Sequence, residues 1–177
     1  MFQFDNLDQK TRDYMLLEVE AAIKTSQLYI SMRFTEEGKA LYPKLLRQAV
    51  IDGNEETLAT ALQQHNCFQT HEKHGIVLRK VPANAPLIFA EGEFNAFYMR
   101  GICHRAIGEG NAVEVYRAKS SMVPRRSSKL IEGNLEDPRR LLLYLKNSID
   151  GSQRGSQLPA GSNSGLTLRL TNKPLMK

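Results

Sequence analysis

Tryptophan is absent from this chain, and 177 residues hold only two cysteines and four histidines. Cys67 and Cys103 are too few for the disulfide framework of a small secreted domain, so both read as free thiols. No apolar run approaches the roughly 18 residues that span a bilayer, and the opening MFQFDNLDQK lacks the positive flank and apolar stretch of a secretory signal. A soluble intracellular product without membrane contact is expected. Catalytic signatures are missing too: there is no Walker loop, Gly-rich dinucleotide fingerprint, nucleophile elbow or His-Glu-x-x-His pattern. Cys103 and His104 are neighbours on a helix and point about 100° apart, the wrong geometry for a thiolate and its base. Neither enzymatic activity nor a cofactor is expected.

What remains is an ordinary globular composition, 41% hydrophobic and 24% charged. The chain is long enough for one substantial core and too short for two ordinary domains. Its charge is lopsided. Residues 1–90 carry 10 Lys and Arg against 11 Asp and Glu, whereas residues 91–177 carry 14 against 8, so the halves stand at −1 and +6. Such a field turns the second half toward nucleic acid or an acidic protein surface, and it has no bearing on the fold.

Hydrophobic periodicity predicts a mainly α (α+β) fold: a helical-bundle body with a minor β element and an extended C-terminal arm. Met15, Leu16, Val19, Ala22 and Ile23 mark a first helix over about 8–24. Leu41, Tyr42, Leu45, Leu46 and Ala49 share one face of a second, and because Pro43 suits only a first turn, that helix is expected to begin near Leu41. Asp52-Gly53-Asn54 is a stop followed by an N-cap, and Leu58, Ala61 and Leu62 continue as a short third helix. Ile76-Val77-Leu78 reads as a strand, and Val81-Pro82-Ala83-Asn84-Ala85-Pro86 as a rigid connector. Val113, Val115 and Tyr116 suggest a second strand over 111–119. Asp137-Pro138 opens a last helix whose buried face is Leu141, Leu142 and Leu145.

The most apolar helix is AEGEFNAFYMRGICHRAI, residues 90–107. On a helical wheel Phe94, Phe97, Tyr98 and Gly101 share a side with Arg105 among them, while Glu93, Arg100 and His104 form a polar stripe. Small residues permit close helix approach, so this is the expected core or assembly helix, with Arg105 stacked on an aromatic or paired with a carboxylate. Beyond a domain of residues 1–147, the Gly/Ser/Pro-rich segment 148–177 is expected to be a flexible arm. Within it Leu166, Leu168 and Leu170 alternate with Thr167 and Arg169, the period of a strand able to dock on another sheet edge. With Leu158, Arg169 and the three alternating leucines form the expected interaction arm. Truncation after Ser148 is then expected to leave a folded monomer that no longer assembles.

Two polar clusters complete the candidates. His65, Cys67, His71 and His74 fall within ten residues and are of the types zinc prefers, but structural zinc sites draw their ligands from two spaced pairs, and a solvated His-rich loop is the preferred reading. Arg125, Arg126 and Lys129, with Arg139 and Arg140 nearby in sequence, offer phosphate contacts; the bland alternative is an exposed charge run without an aromatic platform or recognition helix.

Glu91-Gly92-Glu93-Phe94-Asn95, Phe97-Tyr98, Arg100-Gly101, Cys103, Arg105-Ala106-Ile107, Tyr116-Arg117-Ala118-Lys119 and the closing stretch from Pro159 through Leu166 together resemble a family of tailed-bacteriophage structural proteins. The resemblance covers about residues 88–170. It implies a head-to-tail connector or adaptor of the virion neck, assembled in the host cytoplasm as a homo-oligomeric ring around the DNA channel. Its partners would be portal and tail proteins and non-specific DNA in the channel, with a terminal arm as anchor. The two strands depart from the plain helical bundle of many connectors. The alternative from a different class is a small basic DNA- or RNA-binding accessory protein.

Overall fold

The computed structural model describes residues 1–120, 126–147 and 164–175, apart from the side chain of His74. Among these, three helices, a pair of strands and then helices alternating with strands make six helices and five strands, giving the mainly α (α+β) class expected. Helix α1, Gln9–Lys24, starts where the Asp8 carboxylate accepts the Thr11 amide at 3.0 Å. Helix α3, Glu55–Gln64, starts in a reciprocal box in which Asn54 and Thr57 each satisfy the other's backbone N–H.

Helix α2 runs Glu36–Asp52 with Pro43 inside it, so the expected start at Leu41 is corrected. The Thr35 hydroxyl caps the helix by accepting the Gly38 amide at 2.9 Å. Pro43 removes one ladder bond, at a cost of about 3 kcal/mol, while its neighbour Tyr42 and the next-turn Leu46 are fully buried. Two large apolar groups at 1.5–3 kcal/mol each outweigh that loss.

Helix α4, Ala85–Glu109, is the axis of the molecule and packs against α1, α3, the last helix α6 (Pro138–Asn147) and the sheet. It begins within the stretch expected to be a connector, with Pro86 in the first turn, where a missing N–H costs nothing. Gly101 sets the α1–α4 approach, since a Cβ there would lie 2.8 Å from Met15 Cγ and 3.1 Å from the Thr11 carbonyl. Helix α6 starts where Asp137 accepts the Arg139 amide at 2.8 Å.

The main sheet is antiparallel, in the order β4 (Leu135–Glu136), β3 (Asn111–Arg117), β5 (Leu166–Pro174). Val113 pairs Leu170, Val115 pairs Leu168 and Arg117 pairs Leu166. Period-two alternation does put Leu166 and Leu168 against an edge, but the edge belongs to the same chain. Both leucines are buried in the common core beside Val113 and Val115, so residues 164–175 are part of the body. The expected boundary at 147 therefore separates no independent arm there; Leu158 and the rest of 148–163 lie outside the described residues.

The N-terminal segment closes the structure. Gln3 donates its amide to the Ala118 carbonyl at 2.9 Å, Asn6 accepts the Leu170 amide at 2.9 Å, and the Phe4 ring lies 4.5 Å from that of Tyr98. A separate two-stranded hairpin, β1 (His71–His74) and β2 (Val77–Lys80), projects from the α3–α4 connection. The expected His-rich loop is thus partly a strand. His74 pairs with Val77 across a two-residue turn in which Gly75 takes φ 63°, a conformation that favours glycine.

Candidate functional site

The hairpin is tied down at its base and free at its tip. Four rings, Phe34, Tyr42, Phe68 and Phe89, interlock beneath it with neighbouring centroids 4.8–5.8 Å apart. Phe34 and Phe68 form a β-bridge, Gln69 donates its amide to the Arg33 carbonyl at 2.8 Å, and Arg33 grips Glu72 through two bonds of 2.7 and 2.8 Å. Bidentate pairing of this kind fixes orientation as well as distance. It also raises the Arg33 guanidinium further above its ordinary value.

Above that base the side chains meet solvent. Ile76 at the turn is fully exposed, Leu78 is 62% exposed, and Met32, on the loop against which the hairpin leans, is 90% exposed. Beside them lies a groove of about 350 Å³ lined by Tyr29, Met32, Phe68, Ile88 and Phe89, with Arg33, Glu72 and Glu93 among its polar groups. That volume falls within the usual range for ligand pockets, roughly 300–1,000 Å³. Single exposed apolar residues are ordinary; here three of them lie close to an aromatic groove, which makes this the candidate surface. Sequence reasoning found the run Ile76-Val77-Leu78 and missed its partner, because His71-Glu72-Lys73-His74 has no apolar alternation. The Gly75 turn was the available signal.

No family model, curated protein or solved structure matches this chain.

Its chemistry is therefore read from its own side chains. The expected arm residues serve internal packing: Leu166 and Leu168 are buried, and Leu170 donates its amide to Asn6. Arg169 bonds Glu114 at 2.6 Å and Asp5 at 3.3 Å while its guanidinium lies 5.2 Å from the Tyr116 ring. The strand is held further by Asn95, which is buried on α4. Its side-chain amide donates to the Leu166 carbonyl at 2.9 Å and its oxygen accepts the Thr167 hydroxyl at 2.5 Å.

Phe94, Phe97 and Tyr98 are core residues, as expected of the α4 face. Arg105 takes the carboxylate alternative of its expected pairing, reaching Asp8 at 2.6 Å and Glu109 at 3.0 Å at the edge of the body rather than lying among aromatics. The ring contact falls instead to Arg100, whose guanidinium sits 4.9 Å from the Phe97 centroid and donates to the Leu145 carbonyl at 2.9 Å. The expected polar stripe does not face water either. Glu93 and Arg100 are buried because α4 is surrounded by other elements, and His104 contacts Glu18 at 2.6 Å. Burial would push the Glu18 carboxyl up, but hydrogen bonds from Lys146 and His104 outweigh it and hold the group below its ordinary value.

Of the basic residues, Arg126 and Lys129 lie exposed on a short helix, α5 (Arg126–Ile131), rather than on the expected loop, and Arg139 and Arg140 lie exposed on α6. Arg125 lies outside the described residues. In the zinc candidate, Cys67 is fully buried while His65 and His71 are exposed, so these members do not converge. No group of three His, Cys, Asp or Glu among the described residues is placed to hold a metal ion. Burial raises both the Cys67 and the Cys103 thiols, which keeps them protonated and unreactive. No described helix is long and apolar enough to cross a membrane.

Proposed function

We propose that this chain is a non-enzymatic structural subunit of a tailed-phage virion, a head-to-tail connector or neck adaptor that forms a ring between portal and tail. The exposed apolar hairpin carries the reading. Ile76, Val77, Leu78 and Met32 stand in water on a base rigid enough to present them in one orientation. A partner protein gains from covering such side chains and loses little entropy in doing so. The resemblance over residues 88–170 supplies the class, and the hairpin takes the anchoring role first assigned to the C-terminal arm.

Reconstitution with purified portal rings tests this. Co-sedimentation and ring-shaped density between portal and tail are the expected results, and a chain that neither self-associates nor binds portal rings would refute the proposal. A second reading rests on Arg126, Lys129, Arg139 and Arg140, which are exposed and form no ion pair among the described residues. If all four met phosphates, log K would fall with log salt at a slope of about −3.6, in an accessory DNA- or RNA-binding protein or in a ring around DNA. A flat salt response removes this reading.

A further inference from the structure

Residues 1–6 lie over a buried carboxyl. Glu55, the first residue of α3, is fully enclosed; one of its oxygens accepts the Phe2 amide at 2.7 Å, and the other, Oε2, has no hydrogen-bond partner among the described residues. We infer that this segment is a strap whose hold on the body is set by the proton of Glu55, firm over the neutral carboxylic acid and weaker over the carboxylate. A carboxylate buried without a paired cation is costly, and lifting the strap lets both oxygens reach water. Only contacts within one chain are involved, so the strap holds or fails independently of the assembly reading.

The surroundings give the carboxylate little relief. Glu56, beside it on α3, disfavours the charge, and the amino group of Met1 favours it from a distance. Arg12 of α1 reaches the turn before Glu55 but spends its guanidinium on the Val50 and Gly53 carbonyls, at 2.7 and 2.9 Å. No described Lys, Arg or His forms an ion pair with Glu55. Burial therefore outweighs the Phe2 amide and holds the carboxyl above its ordinary 4.5. The strap itself is built to move as a piece. Phe2 stacks on Phe4 at 5.3 Å, Phe4 leans on Tyr98 at 4.5 Å, and the Gln3, Asp5 and Asn6 amides donate to the Ala118 carbonyl and to the Tyr116 and Tyr98 hydroxyls. Residues 1–6 belong to no helix or strand, so they can lift without breaking a backbone ladder. Lifting uncovers the Ala118 carbonyl and, through Asn6, the Leu170 amide on β5, so one proton governs access to both.

Residue-resolved hydrogen exchange by NMR on the full chain tests this, with each rate normalised to the unstructured rate at the same pH. A group raised in the closed state secures the strap fully below its open-state value, and that contribution is lost as pH rises through the closed-state value. Protection of the Gln3, Asp5 and Asn6 amides should therefore fall by about tenfold per pH unit from 4.5 up to the closed-state value and level off above it. Glu55→Gln keeps an acceptor for the Phe2 amide and carries no charge, so its protection should stay constant over the same range. Flat protection in the wild type overturns the strap, as does an equal fall in Glu55→Gln. Protection as high as that of the Met99 amide, inside α4, also overturns it, because the segment would then open only with the whole fold. Should Glu55→Gln not fold, carbon-13 titration of the Glu55 carboxyl in the wild type decides: a midpoint that coincides with the end of the fall in protection supports the strap, and one at or below 4.5 overturns it.

Discussion

Replacing Asn95 by alanine tests whether the C-terminal strand is part of the body. Asn95 is buried between Leu166 and Thr167, donating to the Leu166 carbonyl at 2.9 Å and accepting the Thr167 hydroxyl at 2.5 Å. Alanine leaves a fully buried hydroxyl without this acceptor and a strand carbonyl without this donor. Each orphaned group costs about 1–3 kcal/mol, so the sum is about 2–4 kcal/mol after partial relaxation. At about 2–4 °C per kcal/mol for a chain of this size, Tm should fall by roughly 10 °C. The double variant Asn95→Leu with Thr167→Val removes both side-chain polar partners and restores packing, so it should recover more than half of the loss. Urea and thermal melts by circular dichroism give both values, and an unchanged m-value shows that the same surface unfolds. If Asn95→Ala lies within about 0.5 kcal/mol of wild type, the level of an ordinary surface change, the strand is not seated on α4 and the reasoning fails.

Truncation after Ser148 carries the same logic further. It removes Leu166 and Leu168, each contributing about 1.5–3 kcal/mol by burial, and uncovers Val113 and Val115. Against a typical total of about 5–15 kcal/mol, the truncated chain should unfold or aggregate rather than remain a folded monomer; a sharp cooperative melt near the wild-type Tm would contradict this. Glu55 supplies a pH test, because burial raises its carboxyl above the ordinary 4.5 although the Phe2 amide bonds it at 2.7 Å. A group whose folded value is raised contributes stability that is full below the unfolded value and is lost as pH rises through the folded one. Glu55→Gln should therefore be more stable than wild type at pH 7, with the gap closing toward pH 4 in urea melts, and a gap that widens on acidification refutes the assignment.

Local chemistry made much of the fold legible. Asp8, Asn54, Gly110 and Asp137-Pro138 mark helix ends by their own capping properties, and the stripes Met15-Val19-Ala22 and Leu58-Leu62 need no tertiary knowledge. Errors arose where a distant group decided the outcome. Pro43 stays helical because Tyr42 and Leu46 are buried around it, and Glu93 and Arg100 face inward because α4 is enclosed. Composition made residues 164–175 look like linker, since the groups that order them, Asn95 and Asn6, lie at least 71 positions away in the chain. The candidate surface was half visible in Ile76-Val77-Leu78, and its aromatic groove draws on segments that sequence proximity does not connect.

The clasp between the two ends of the chain has a consequence for the order of folding. Residues 3–6 bond Ala118 and Leu170, so during synthesis this early segment holds part of its native pairing in reserve until a segment more than 160 positions later emerges. Until then β3 offers a bare edge and the core lacks Leu166 and Leu168. A nascent or prematurely terminated chain with that open edge is an aggregation hazard and a target for chaperones and proteases. The clasp thus makes closure of the sheet depend on β5, so the segment 3–6 completes its pairing only after residues 166–170 are in place.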